Sequence, residues 1–345
     1  MYRGLPPGLP RNWQASRLGK ATMLQDSFNR KFNYLRLSVT EVCNFKCNYC
    51  LPDGYECHSR ASTLTLRQTK TLLQAFALAG TKKVRLTGGE PSLRKELPDI
   101  VALCKATSGI DSIALTSNGY HLKRKLPRLI EAGLSALNLS ADSLNPYTFS
   151  QITGSNSLDE VLRCVDLAFE LGLKKVKLNA VLLKQYNGKQ LQQFLNFIKD
   201  KPVTFRFIEL MRTHDNALYF NQQHMPGQGI RTILENEGWT LQPKAVDAGP
   251  ALEFCHPDYA GQIGLIMPYS KDFCASCNRL RVSADGKLHL CLFGEANDDL
   301  TPWLDEDDAA GLATYLTQRV LKKWQGHQLH QGRSGLTKHL AMLGG

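Results

Sequence analysis

The 345 residues contain no run of about 18 apolar residues, which excludes a helical membrane span. No secretory apolar region precedes the first cysteine. A cytoplasmic setting is therefore expected, where cysteines serve as metal ligands or free thiols more often than as disulfides. Repeats and low-complexity tracts are missing, which excludes a solenoid. Acidic side chains are the scarcer charge: 31 against 42 basic ones leave a net charge of +11. Most of these charges belong to a solvated surface, but a basic surplus also favours anionic partners. There is no separate nucleic-acid module and no stripe of interleaved aromatic and basic residues, so neither nucleic acid nor membrane is expected as a partner. Residues 1–25 lack acids altogether while holding Arg3, Arg11, Arg17 and Lys20. That suits a transit peptide, a disordered tail, or a protein that starts at Met23 rather than Met1. Residues 1–27 are expected to form a variable, disordered extension.

Apolar residues make up 43% of the chain, enough for a sizeable core. From residue 34, β-rich runs at 34–38, 83–87, 110–116, 136–140, 175–181 and 204–209 alternate with helix-period segments at 66–79, 126–132, 158–171 and 189–199. Ser157 and Glu160 have the spacing of a capping box. Such alternation predicts a parallel sheet with helices outside it. The fold class is α/β, read as an incomplete, six-unit β/α (partial TIM) barrel over 28–211. Short strands at 252–256, 263–267, 280–283 and 288–293, a hairpin turn at Asp285 and Gly286, and a helix at 308–323 predict a C-terminal region, 212–345, that closes the open side.

Ten cysteines are present, and six fall in two tight groups. Cys43, Cys47 and Cys50 follow the first strand with spacing C-x3-C-x2-C. Three thiolates can hold three irons of a 4Fe–4S cluster, leaving the fourth iron open to another ligand. Structural zinc would need Cys57 as a fourth ligand and favours paired C-x2-C motifs. Tyr49, between the last two cysteines, can lie against an adenine. Thr87, Gly88, Gly89 and Glu90 end the second strand, where paired glycines permit close backbone approach. Thr116, Ser117 and Asn118 end the third strand, and Ser140 and Asp142 the fourth. In β/α barrels those ends carry the site. Cys274, Cys277 and Cys291 have spacing C-x2-C-x13-C. Spacing alone leaves zinc, with Cys255, His256 or His289 as fourth ligand, level with iron–sulfur. Cys104 and Cys164 stand singly in helix-like stretches and read as packing residues.

The first trio with its aromatic residue resembles the radical S-adenosylmethionine (SAM) superfamily. That resemblance implies a reduced cluster that cleaves SAM to a 5′-deoxyadenosyl radical. Adding the second trio, the diglycine end Gly344 and Gly345, and the stretches 34–55, 83–94, 205–211 and 272–293, the chain from about residue 28 onward resembles the GTP 3′,8-cyclase family of molybdenum-cofactor biosynthesis. The resemblance implies two 4Fe–4S clusters, on Cys43, Cys47 and Cys50 and on Cys274, Cys277 and Cys291, the second binding guanine. It leaves Cys57 and Cys255 as spare thiols. It implies SAM contacts at Tyr49, Gly89, Glu90, Ser140 and Met211. GTP contacts are implied at Arg36, Arg85, Thr116, Lys177, Arg279, Leu280 and Arg281. Arginine forks suit phosphate oxygens. The implied reaction, the first step of molybdopterin biosynthesis, takes hydrogen from C3′ of GTP, joins C3′ to C8 and yields 3′,8-cyclo-7,8-dihydro-GTP. Arg281 supplies charge or a proton, and Gly344 and Gly345 reach into the active site. A homodimer is further implied, together with a protein reductant of unknown identity. The rivals are a radical SAM enzyme acting on peptide or RNA, and a zinc-binding regulator without SAM chemistry.

Overall fold

The computed structural model describes residues 23–56, 63–244, 248–294 and 297–344. The expectations for residues 1–22, Cys57 and Gly345 lie outside the described residues. The strands are β1 (Tyr34–Ser38), β2 (Lys83–Thr87), β3 (Ser112–Ser117), β4 (Ala136–Ser140), β5 (Val176–Leu182), β6 (Thr204–Glu209), β7 (Thr240–Leu241), β8 (Leu252–Cys255), β9 (Gln262–Ile266), β10 (Arg279–Val282), β11 (Lys287–His289) and β12 (Asp298–Asp299). The six expected strands are present as β1 to β6, in consecutive parallel order. Parallel neighbours need crossovers. Helices supply them: α1 (Leu66–Leu78), α2 (Leu97–Ala106), α3 (Leu122–Glu131), α4 (Pro146–Thr153), α5 (Leu158–Glu170) and α6 (Leu191–Ile198). Beyond β6 come α7 (Ala217–Gln223), α8 (Gln228–Asn236), α9 (Thr301–Asp305) and α10 (Ala309–Val320).

The sheet does not stop at six strands, and it is not closed. The C-terminal region extends it at both edges: β10 pairs in parallel with β1, and β9 in parallel with β6. Antiparallel partners then follow, giving among the described residues a mixed twelve-stranded sheet of order β12-β11-β10-β1-β2-β3-β4-β5-β6-β9-β8-β7. The physical reason is the unpaired backbone that β1 and β6 would otherwise present. The outermost strands, β12 and β7, are two residues each, and such short edges offer little template for further pairing.

Alternation within the strands sorts the core from the site. In β1, Leu35 and Leu37 are buried against the helices while Arg36 takes the other face. The helix side is mainly apolar: Leu72, Leu73 and Phe76 of α1, Phe194 of α6, and Phe205 and Phe207 of β6 are fully buried. Cys104 and Cys164 are fully buried in this layer, as packing residues. The turn at Asp285 and Gly286 joins β10 to β11, with Gly286 at φ 84°. The capping box at Ser157 does not form: its hydroxyl pairs with Ser155 instead, and α5 has no side-chain cap. A capping box does start α1, where Thr65 and Gln68 satisfy each other's backbone N–H groups.

Candidate active site

The loop after β1 and the loop after β2 are built on each other. Gly89 N donates to Thr40 O at 2.9 Å and Glu90 N to Val42 O at 2.8 Å. A Cβ on Gly88 would stand 2.1 Å from Thr40 O, and one on Gly89 2.3 Å from Val42 O. The glycines are required first for this backbone-on-backbone contact, and they still line a cavity of about 150 Å³ above it. Cys43, Cys47, Cys50, Tyr49, Ser140, Asp142 and Met211 line the same cavity. Glu90 does not reach it. Its carboxylate is fully buried and accepts from Ser92 N, Ser117 Oγ and Asn118 N at 2.6 to 2.8 Å, tying the second strand end to the third.

Burial pushes the Cys43 thiol up to about 11 and Cys50 to about 12, and lifts Cys47 well above the ordinary thiol range. The would-be charges of Asp142, Cys50 and Cys43 raise Cys47 further, and the three cysteines line one small cavity. Thiolates so placed need a cationic partner, and soft thiolate donors suit iron–sulfur centres. Among the described residues no three His, Cys, Asp or Glu side chains close round a single metal ion. The six expected ligands instead stand as two trios on two cavity walls. Tyr49 Oη donates to Asp142 Oδ2 at 2.9 Å, and Val181 N to Asp142 Oδ1 at 2.8 Å. Burial nevertheless raises Asp142 to about 6.

A second cavity of about 390 Å³ opens from the first, and the two share Thr116, Asn179, Ile208 and Met211. Its wall is a belt of cations set by strand register. Arg36 lies between Arg281 of β10 and Arg85 of β2, and Arg206 of β6 lies opposite Asn179 of β5. Like charges on neighbouring strands repel, so this register is costly without anions. Counting Lys83, Lys175, Lys177, Arg279 and Lys323, nine cationic side chains face one carboxylate among the described residues, Glu253. Lys177 is paired with that Glu253. Arg85 donates to Tyr34 Oη and, at 2.9 Å, to Thr116 Oγ1. With its carboxamide oxygen turned inward, Asn138 accepts from Arg85 and Arg206. Burial, and after it neighbouring arginines, pulls Arg36 well below the usual guanidinium range and Arg206 and Arg281 to about 10.

Cys274, Cys277 and Cys291 line this cavity beside the belt. Burial alone would raise the Cys277 thiol. Lys323, Arg279, the backbone N–H of Arg279 and Arg30 outweigh it and bring the thiol to about 7. Cys277 thus sits in a field that favours its thiolate, unlike the three cysteines of the first trio. From the far end of the chain, Arg36 donates to Gly344 O, and a Cβ on Gly344 would collide with Thr87 Oγ1.

The structure brings Arg36, Arg85, Thr116, Lys177, Arg279 and Arg281 to one cavity, with Met211 at its junction with the other. It does not bring the Leu280 side chain there. Leu280 packs in the core, pointing the opposite way from its neighbours on β10. Cys255 lies on β8, apart from both trios, with Gln242 Nε2 at 2.7 Å from its sulfur. Sequence reasoning missed Arg206, Lys323, Asn138, Tyr34 and Glu253. Arg206 had a signal: a cation between two apolar residues within a strand, a placement it shares with Arg36 and Lys177 and one that calls for an anionic partner. Lys323 had none, because it follows a helix with nothing to mark its burial.

Residues 37–198 match the family model described as Radical SAM superfamily, and residues 203–329 that described as Molybdenum Cofactor Synthesis C. The chain is 53% identical over 324 residues to a GTP 3′,8-cyclase of Haemophilus ducreyi, covering 93% of this chain and 95% of that one. It is 50% identical over 332 residues to one of Vibrio atlanticus, covering 95% and 99%. Among solved structures, Streptococcus suis SuiB bound to S-adenosylmethionine superposes with a TM-score of 0.58 over 87% of this chain and 74% of that one. At 14% identity, this is a likeness of fold alone.

Proposed function

The chain belongs to the GTP 3′,8-cyclase family of radical SAM enzymes, and from that membership we propose that its two joined cavities hold SAM and GTP side by side. The activity is conversion of GTP to 3′,8-cyclo-7,8-dihydro-GTP, the first step of molybdenum-cofactor biosynthesis. One observation carries the assignment of substrate to cavity: among the described residues, nine cationic side chains stand against one carboxylate in the space shared with the second cysteine trio. A triphosphate supplies the negative charge that this belt lacks.

When bound, an iron–sulfur cluster with SAM supplies a carbon radical at the adenosyl 5′ position. Cys43, Cys47 and Cys50 would hold that cluster, with Tyr49, Gly89, Ser140 and Met211 against SAM. Cys274, Cys277 and Cys291 would hold a second 4Fe–4S cluster facing guanine. Arg36, Arg85, Thr116, Lys177, Arg279 and Arg281 orient the nucleotide, and Arg206 joins them. Arg281 Nη1 is buried with no partner among the described residues, a donor that suits a bound purine and can carry the proton of the final reduction. Glu90 and Leu280 act through the backbone they hold. Met211 and Ile208, at the junction of the cavities, keep water from the reacting carbons. Gly344 completes the wall, since a Cβ there would collide with Thr87, and Gly345 belongs with it to the diglycine end that the reaction needs. The reading extends to a partial barrel of six β/α units over 28–211 covered by 212–345, a cytoplasmic homodimer, and reduction by a separate protein. No helix among the described residues is long and apolar enough to cross a membrane.

The test is 5′-deoxyadenosine formation by anaerobically reconstituted protein given SAM and reductant, with GTP, with ATP and with neither. Strong stimulation by GTP alone is expected. SAM cleavage indifferent to GTP would remove the nucleotide from the second cavity.

A further inference from the structure

Outside the cavities, the most heavily bonded buried cation among the described residues is Arg30. It lies in a short strap before β1. Leu24 and Phe32 anchor the strap in the core, and Phe32 N donates to Leu24 O at 2.8 Å. Asp26 folds the strap on itself: its Oδ1 accepts from Phe28 N at 3.0 Å and Arg30 N at 2.9 Å. Asn29 takes the left-handed conformation at φ 62°. The turn presents the Arg30 guanidinium inward, where its side chain is 7% exposed and that of Asp26 is 0%. Arg30 Nε donates to Asp26 Oδ2 at 2.7 Å.

The remaining nitrogens reach across the molecule to three backbone carbonyls. One is that of Cys274, at 3.0 Å; the others are Gln325, at 2.5 Å, and Trp324, at 2.6 Å. These carbonyls are not incidental to the second trio. Cys274 is its first member. The 324–326 segment packs on it, since a Cβ on Gly326 would lie 3.9 Å from the Cys274 sulfur. Lys323, one residue earlier, donates to Leu290 O, next to Cys291. Both cysteine-bearing loops are therefore tied to one short segment, and Arg30 ties that segment to the strap. Arg30 adds the smallest share to the field at Cys277, and Asp26 pairs with its charge, so its main contribution is directional. A planar fork of five donors holds several carbonyls in fixed relation.

Resting on the two-cluster reading above, we propose that Arg30, held by Asp26, is a positioning residue for the second cluster. It fixes the backbone of Cys274 against the 324–326 segment so that Cys274, Cys277 and Cys291 converge on one iron–sulfur group. The N-terminal strap is then part of the C-terminal metal site, although the two lie more than two hundred residues apart in sequence. Losing the fork leaves three carbonyls without their donor and Asp26 buried without its partner, which loosens the Cys274 loop. The first trio has no contact with the strap among these bonds, so its iron is unaffected.

The experiment compares full-length wild type, Arg30→Met, Arg30→Lys and Asp26→Asn after anaerobic reconstitution. It measures iron and sulfide per chain, the electron paramagnetic resonance of the reduced protein with and without SAM, and thermal unfolding of the metal-free forms. Wild type is expected to hold about eight irons, two clusters of four. Arg30→Met should hold about half, with the remaining signal still perturbed by SAM, and Arg30→Lys should recover part of the loss. Should Arg30→Met fail to fold, Asp26→Asn carries the same expectation in milder form, a selective partial loss of the SAM-insensitive signal. A full iron complement in Arg30→Met overturns the proposal. So does a proportional loss from both trios with a matching fall in metal-free stability, which marks a general structural role. About four irons in wild type, unchanged by replacing Cys274, Cys277 and Cys291 with serine, overturns the two-cluster reading and the proposal with it.

Discussion

Tyr34 stands among three cations of the belt, Arg85, Arg36 and Lys83. Burial alone would raise its phenol above the ordinary value of 10, but Arg85, Arg36 and Lys83 outweigh that and bring it down to about 7. Below pH 7 the group is neutral; above it the phenolate adds a negative charge to a cavity read as a polyanion site. A triphosphate set beside it drives the proton back on. Nucleotide binding above pH 7 should therefore take up a proton, and affinity should weaken as pH rises from 7 to 9, by at most about tenfold per unit. Calorimetry of GTP binding at pH 8 in two buffers of different ionisation enthalpy measures the uptake. Tyr34→Phe should remove both the uptake and the slope. A phenylalanine variant with the wild-type slope would assign the linkage to another group, such as Lys177, which burial also lowers.

At the scale of the element, the loops after β1 and β2 behave as one unit, and the glycine pair is their contact point. Gly88 combines φ 141° with a Cβ position 2.1 Å from Thr40 O. Gly88→Ala is expected to cost about 1–3 kcal/mol from backbone strain, more from the clash, and to strip iron from Cys43, Cys47 and Cys50. Thermal unfolding with iron analysis checks this. Gly229→Ala is the control: it lies in α8 with no atom within 4 Å of its Cβ position, and should be neutral or slightly stabilising. The position of this loop pair was legible from the motif, but its reason was not. Sequence suggests glycines approaching a ligand, whereas the tighter constraint is one backbone against another. The six parallel strands were legible because alternating periods are local. The joining of β9 to β6 and β10 to β1 was not, because pairing across fifty or two hundred residues leaves no periodic mark. Arg30 and Lys323 stayed hidden for the same reason: their partners are backbone carbonyls far along the chain.

Across the whole molecule, the C-terminal tail connects every part of the site. Leu336 N donates to Gly294 O and Thr337 Oγ1 to Leu292 O, beside the second trio. His214 N and Asp215 N donate to Thr337 O and Lys338 O, each at 3.4 Å. The backbone N–H groups of Ala341 and Leu340 face the Cys50 sulfur, where they oppose the effect of burial on its thiol. Only then does the chain pass Thr87 to reach Arg36. The anchoring contacts all lie upstream of Gly344, so removing Gly344 and Gly345 should leave the fold and both trios in place, with an unfolding midpoint within a few degrees of wild type. What is lost is the last stretch of wall beside the belt. Such a truncation should still form 5′-deoxyadenosine from SAM but no cyclic product, as chromatography of both from one reaction would reveal. Wild-type cyclic product from the truncated chain would reduce the tail to packing. Loss of SAM cleavage as well would mean that the diglycine end, and not the Leu340–Met342 turn, holds Cys50.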